Sequence, residues 1–254
     1  MGKIAAAIWC AVALCLAPGV SAQTFDFSNI QYVVGTGTNE SALVITWNDG
    51  KTPDSLVWGY KWNMPASGTA PTIYDMMTAL QAADPRLAFY ANTSYDSPST
   101  GVYALYAVFY DLTGMGGSPT VGKPLNQGGT ENGSPPYSGD HYKEGWNTGF
   151  WGEVIGIGNP YNGGSWSSSS TVAHSLGVDT ISNNGWYGLS FSTDATPPFT
   201  IPNPGFPTAV PPPASPVPVP AWASGICFFA LGAVGMFACR RVKPRHSHAI
   251  FEPR

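Results

Sequence analysis

Residues 42–62 read ALVITWNDGKTPDSLVWGYKW, and this stretch decides the fold class. Two runs rich in valine, isoleucine, leucine and tryptophan, Ala42–Trp47 and Ser55–Trp62, have the character of β-strands. The residues between them, NDGKTP at 48–53, have the composition of a tight turn. We therefore predict an antiparallel hairpin that joins two strands of a sheet.

Four further segments have strand character and are bounded by glycine, asparagine, aspartate or proline. They are Ile30–Val34, Val102–Tyr110, Gly149–Ile157 and Gly185–Ser192. The predicted external domain is therefore strand-rich and of the α+β class, with one or two helices. An all-β sandwich is the alternative.

One helix is predicted to begin after Thr72, which can cap it, with Asp75 at the capping-box distance. The apolar residues that follow have the spacing of one helical face. They are Ile73, Met76, Met77 and Leu80. The pair Asp84-Pro85 is expected to end the helix, because proline disfavours helical backbone in the residue before it.

The N-terminus has the layout of a secretory signal. Lys3 precedes an apolar run from Ile4 to Leu16, and small residues then lead up to Ala22. We predict a signal peptide over residues 1–22, with cleavage between Ala22 and Gln23. An uncleaved N-terminal anchor would require a longer apolar run.

The C-terminus has the features of a membrane anchor. Residues 221–239 carry no charge, and a helix of that length nearly crosses a hydrocarbon core of about 30 Å. The basic tail at 240–254 begins with Arg240 and Arg241, and the positive-inside rule places it in the cytoplasm. We predict a transmembrane helix over 221–239, with the domain at 23–195 outside.

A proline-rich segment at 196–220 separates that domain from the apolar run. Proline fixes φ and favours an extended chain, so the segment is predicted to be a spacer.

Charge and cysteine placement exclude several classes of function. The net charge of the chain is −4, and the acidic residues between 23 and 220 outnumber the lysines and arginines there. An acidic exterior argues against nucleic acid as a partner. The cysteines lie in the two terminal apolar segments, so the external domain has no disulfide, catalytic thiol or cysteine metal site. They are Cys10, Cys15, Cys227 and Cys239.

The C-terminal segment resembles the bacterial PEP-CTERM sorting tail, in which a VPEP-like motif precedes an apolar helix and an arginine cluster. The matching residues are Val217, Pro218, Val219 and Pro220, the helix to Cys239, and Arg240 and Arg241. The resemblance implies a membrane-embedded exosortase as a partner, and a cell surface or matrix containing exopolysaccharide. Val219 stands where that family commonly has glutamate, and the tail after Arg241 is longer than usual. An uncleaved single-pass anchor is the alternative.

A second resemblance covers the first part of the external domain. The strings ITWNDGK at 45–51, LVWGYKW at 56–62 and ADPRL at 83–87 resemble an uncharacterised bacterial secreted family with IDWNDG, WGYRW and ADPRL motifs. Thr46 replaces the acid of that family, and Lys61 replaces its arginine. The resemblance implies no particular activity.

Residues suited to catalysis are sparse in the external domain. Its histidines are His141 and His174, and it lacks a Gly-x-Ser-x-Gly elbow. His141 and Glu144 lie three residues apart in a region rich in glycine and proline, where we expect a solvated loop. We predict no catalytic residue, no metal and no cofactor. A secreted hydrolase is an alternative that requires His141 or His174 to meet an acid and a hydroxyl.

The aromatic content suggests binding. Trp58, Tyr60 and Trp62 project from one face of a strand, and that face is either core or a ligand platform for sugar rings. We expect an exported surface or extracellular-matrix protein without enzymatic activity. A module that binds a surface glycan or small ligand, including extracellular polysaccharide, is the alternative.

Overall fold

The computed structural model describes residues 23–92, 104–122, 132–145, 149–172, 176–194 and 200–214. The predicted signal peptide, the sorting motif at 217–220, the apolar run at 221–239 and the basic tail lie outside the described residues. Gln23, the expected first residue after cleavage, is described and exposed, whereas Ala22 is not described. Within the described ranges, no helix is long and apolar enough to cross a membrane.

The described chain is strand-rich, with one α-helix and two β-sheets, one mixed and one antiparallel. A 3-10 turn at Phe27–Asn29 comes first. The other elements are β1 (Val33–Gly35), β2 (Asn39–Thr46), β3 (Ser55–Trp62), α1 (Ile73–Ala83), β4 (Leu87–Asn92), β5 (Ala104–Tyr110), β6 (His141–Glu144), β7 (Phe150–Ile157), β8 (Ser165–Val172), β9 (Gly185–Ser192) and β10 (Thr208–Ala209).

The larger sheet has seven strands. Its order is β1-β3-β2-β9-β7-β8, and β10 also pairs with β3. The predicted hairpin is confirmed, because β2 and β3 are antiparallel with Thr46 opposite Ser55. β2 runs parallel to β9, whereas β7 is antiparallel to both β9 and β8. The hairpin therefore provides the centre of a mixed sheet.

Both faces of the central strands are buried. In β2, Leu43 and Ile45 belong to the main core, whereas Ala42 and Val44 belong to a second cluster on the opposite face. This follows from the two-residue period of a strand. A strand covered on both faces reads as a continuous apolar run.

A smaller antiparallel sheet, in the order β4-β5-β6, packs with α1 against the main core. Leu105 and Val108 of β5 are fully buried in the same cluster as Met76 and Leu80 of α1. The larger sheet thus has one face covered jointly by α1 and the smaller sheet.

The helix begins and ends as the sequence predicts. The Thr72 side chain accepts a hydrogen bond from the backbone N–H of Asp75, and the Asp75 carboxylate accepts one from the backbone N–H of Thr72. This is a capping box. The predicted apolar face is confirmed, since Ile73, Met76, Met77 and Leu80 are all buried.

The described part of the predicted proline-rich spacer belongs to the domain. β10 pairs in parallel with β3, and the backbone N–H of Val210 donates to the carbonyl of Val57. Ile201 and Val210 are buried. The chain divides into two compact units, and the first of them ends at Pro213. The domain boundary predicted at residue 195 is therefore wrong, because residues 200–213 complete the sheet edge and cover its apolar surface.

Candidate functional site

The turn after β2 joins the two sheets. Trp47 is buried, and its Nε1 donates to the carbonyl of Val108 on β5 at 3.1 Å. Its ring stacks on His141 of β6, with 4.6 Å between ring centroids and 15° between planes. Nδ1 of His141 lies 3.1 and 3.2 Å from the two carboxylate oxygens of Asp49. Trp47 and Asp49 therefore connect the hairpin of the larger sheet to two strands of the smaller one.

Asp49 is the most highly connected charged group in this turn. Burial acts to raise its pKa, but the hydrogen bond and charge of His141, together with Lys51, lower it below the ordinary aspartate value. Nζ of Lys51 lies 3.4 Å from Asp49 and also donates to the backbone carbonyl of Asp140. The carboxylate is thus held in its ionised form between two partners that favour the charge.

His141 does not lie in a solvated loop, and that expectation is wrong. The residue is in β6 and fully buried, because stacking on Trp47 and pairing with Asp49 override the glycine- and proline-rich context. It meets an acid, as the hydrolase alternative requires. However, Nε2 of His141 has no hydrogen-bond partner among the described residues, so none of them places a hydroxyl there. His174 lies outside the described residues.

The predicted ligand platform of Trp58, Tyr60 and Trp62 is not a surface of this structure. Trp58 is 0 % exposed and Trp62 4 % exposed, and Tyr60 is half-buried. Trp62 donates to the hydroxyl of Ser41 at 3.1 Å. These rings form part of the main core, which corrects the platform hypothesis and favours the core interpretation of the same pattern.

Trp58 also belongs to a polar network that fixes the C-terminal edge of the domain. Its Nε1 donates to the buried carboxylate of Asp84 at 3.1 Å. Arg86 donates to both oxygens of that carboxylate, at 2.8 and 2.9 Å, and to the carbonyl of Pro211 at 2.7 Å. The motif ADPRL therefore anchors residues that follow β10, which is a structural role.

A cavity of about 420 Å³ lies between α1 and the smaller sheet, within the range of about 300–1,000 Å³ that is usual for ligand pockets. Its walls are rich in aromatic side chains. The lining residues are Tyr74, Met77, Thr78, Gln81, Phe89, Tyr90, Ala91, Tyr106, Val121 and Gly122. None of these ten residues carries a charge.

Sequence reasoning missed this cavity because its residues come from separate segments of the chain. One signal was available in α1, where Tyr74, Thr78 and Gln81 follow a second helical face beside the buried one. Nothing in the sequence of β4 and β5 shows that Phe89 and Tyr106 lie opposite that face.

Two polar side chains of α1 lie at the rim of the cavity. Thr78 and Gln81 are both exposed. Oε1 of Gln81 accepts a hydrogen bond from the backbone N–H of Phe89 at 2.7 Å, and the Thr78 hydroxyl donates to the carbonyl of Tyr74 at 2.8 Å. The Gln81 amide N–H donors are therefore not used in this contact, and the Thr78 oxygen keeps its capacity to accept.

Glu144 supports the wall of the cavity from behind. Its carboxylate is buried and accepts hydrogen bonds from the Tyr142 hydroxyl at 2.6 Å and from the backbone N–H of Gly122 at 2.8 Å. The backbone N–H of Gly133 also donates to it. Because Gly122 lines the cavity, this carboxylate fixes the chain that forms part of the wall. Burial and the hydrogen bond to Glu144 together raise the pKa of Tyr142.

A second acidic group is buried in the larger sheet. Glu153 of β7 is 2 % exposed. Burial, followed by the charge and hydrogen bonding of the Asp179 carboxyl, raises the pKa of Glu153 to about 8. The segment that contains Asp179 also contacts α1, because the backbone carbonyls of Leu176 and Asp179 accept hydrogen bonds from backbone N–H groups in the first turn of that helix. A pKa raised this far favours the protonated form of the Glu153 carboxyl at neutral pH.

Comparisons with protein-family profiles, with curated proteins and with solved structures give no match to this chain. Among the residues that the structure describes, no group of three or more histidine, cysteine, aspartate and glutamate side chains is arranged to hold a metal ion. The cavity between α1 and the smaller sheet is thus the candidate site that the described geometry offers.

Glu153→Gln should remove a pH dependence of stability. The carboxyl has a pKa of about 8 when folded, against an ordinary value of 4.5. Its contribution to the free energy of unfolding is therefore complete below about pH 4.5. It is lost as the pH rises towards 8, at up to about 1.4 kcal/mol per pH unit. Glutamine resembles the protonated form, so the variant should be the more stable protein near pH 8. Urea unfolding between pH 5 and 8.5 measures this.

The matched control is Glu40→Gln, which changes a carboxylate on β2 that is only half-buried. It should keep the pH dependence of the unaltered protein. If the free energy of unfolding depends on pH in the same way for the unaltered protein and for Glu153→Gln, Glu153 is not protonated in the fold.

Proposed function

We propose that this chain is an exported, non-enzymatic surface protein whose external domain binds a small uncharged ligand in the cavity between α1 and the smaller sheet. The observation that carries the proposal is the cavity itself, with aromatic side chains on both walls and two polar side chains at its rim. Concave, mostly apolar sites with a few placed polar groups are typical of small-molecule binding.

The export part of the proposal rests on the sequence. A signal peptide at 1–22 and an α+β external domain precede a transmembrane helix at 221–239, which holds the protein in the membrane or is processed by an exosortase. The described domain lacks cysteine and is held together by packing and buried hydrogen bonds, which suits an external compartment of any redox state.

The hydrolase alternative has less support. Asp49 and His141 form an acid–histidine pair, but His141 is fully buried and the described residues supply no hydroxyl at Nε2. Nucleophilic catalysis needs a nucleophile within hydrogen-bond reach of the base. The contacts of this pair support a role in joining the two sheets.

Thr78→Trp should block the cavity. Thr78 is exposed on α1 at the rim, so an indole there fills the opening without disturbing the buried face of the helix. The neutral probe 4-hydroxybenzyl alcohol should shift the ¹⁹F resonances of Tyr90 and Tyr106 in the full-length protein labelled with 3-fluorotyrosine. The shifts should disappear in Thr78→Trp.

The matched control is Thr208→Trp, an exposed threonine on β10 of the larger sheet that does not line the cavity. It should bind the probe as the unaltered protein does. Equal shifts in both tryptophan variants, or no shift in the unaltered protein, would remove the cavity as the site.

Intact mass of the protein from its native host, with cell fractions kept separate, tests the export part. We expect a species that begins at Gln23 and ends near Pro220 if the tail is processed, and one that begins at Gln23 and retains Arg254 if the anchor is kept. A species that retains Met1 would contradict the signal peptide.

A further inference from the structure

We infer that the ligand of this cavity is an uncharged sugar ring, such as the terminal unit of a neutral glycan. The inference rests on the proposed function and names the class of molecule that the walls would select. It depends on how aromatic and polar groups are distributed around the cavity, on the absence of charge from the ten residues that line it, and on the access that its exposed rim gives.

The two walls present aromatic rings. Tyr74 lies on α1 at one side, and Phe89 and Tyr90 lie on β4 at the other. All three residues are half-buried, so each keeps some accessible surface beside the cavity. The C–H faces of a pyranose ring are apolar and flat, and they gain free energy when they cover an aromatic ring.

The rim supplies the hydrogen bonds that the hydroxyl edge of such a ring needs. Gln81 offers amide N–H donors, since its contact with the backbone of Phe89 uses only Oε1. The Thr78 oxygen can accept. The two residues are three apart on α1, which places their Cβ atoms about 5–6 Å from each other. A ligand with several hydroxyl groups can satisfy both, whereas a purely apolar ligand would bury a donor without a partner.

The described residues of the lining carry no charge, which disfavours ionic sugars. A bound carboxylate or ammonium group would lose its hydration without meeting an opposite charge, which is costly. Glu144, the charged group behind the wall, already accepts hydrogen bonds from Tyr142, Gly122 and Gly133. It also disfavours an anion nearby. Burial raises the pKa of Tyr90, so its hydroxyl stays neutral and can donate.

The test uses the full-length protein in a zwitterionic phosphocholine detergent, because alkyl-glycoside detergents carry sugar rings themselves. The probes are glucose, galactose, mannose, N-acetylglucosamine and disaccharides of these, with glucuronate as the charged counterpart. Binding is followed by the 3-fluorotyrosine resonances and by displacement of 4-hydroxybenzyl alcohol. We expect at least one neutral sugar to bind at the cavity and glucuronate to bind at least about tenfold more weakly.

Two substitutions probe the contacts. Tyr90→Ala removes a stacking ring, and Gln81→Glu keeps the acceptor for Phe89 but removes the donors and adds a negative charge. Each should weaken the neutral sugar about tenfold or more. Tyr137→Ala is the control, since Tyr137 is exposed and does not line the cavity, and it should leave the affinity unchanged.

The outcomes separate the two proposals. If 4-hydroxybenzyl alcohol binds in the cavity but no neutral sugar does, or if glucuronate binds equally well, the sugar inference is overturned and the cavity remains a binding site. If neither the alcohol nor any sugar binds, the proposal that the cavity is a binding site falls as well. Loss of sugar binding in Tyr137→Ala but not in Tyr90→Ala would place the sugar elsewhere and also overturn the inference.

Discussion

The contact between Asp49 and His141 is the constraint on which the rest of the domain depends. It joins the turn of the central hairpin to the last strand of the smaller sheet, at 3.1–3.2 Å. Trp47 strengthens the same junction through its stacking on His141 and its hydrogen bond to β5. Because α1 packs on the larger sheet, the position of the smaller sheet determines the width of the cavity between them. The candidate site is therefore maintained by residues that do not line it.

The motifs that stand out in the sequence form the framework of the domain. Trp47 and Asp49 belong to the first motif, Trp58 to the second, and Asp84 and Arg86 to the third, and each makes a buried or half-buried polar contact. Buried polar groups must find partners, so such residues fix one arrangement of the chain. The candidate ligand contacts lie between and beyond these motifs. The motifs therefore indicate the fold but do not identify an activity.

Local patterns predicted the parts of the fold that local forces determine. β3, β9 and α1 have the expected bounds within a few residues, because aromatic and β-branched runs or a capping box specify them. β8 is rich in serine and β6 reads HYKE, and both are strands only because a neighbouring strand pairs with them. The burial of His141 and the cavity likewise arise from contacts between segments distant in the sequence. No single-segment pattern could have shown them.

A double-mutant cycle with Asp49→Asn and His141→Gln tests the central claim most directly. The free energy of unfolding would be measured by urea denaturation at neutral pH for the unaltered protein, each single variant and the double variant. Groups that share a buried hydrogen bond should show a coupling energy of about 1–3 kcal/mol. Single effects that add to within about 0.5 kcal/mol would show that the two residues do not hold the sheets together, and would contradict this account of the fold.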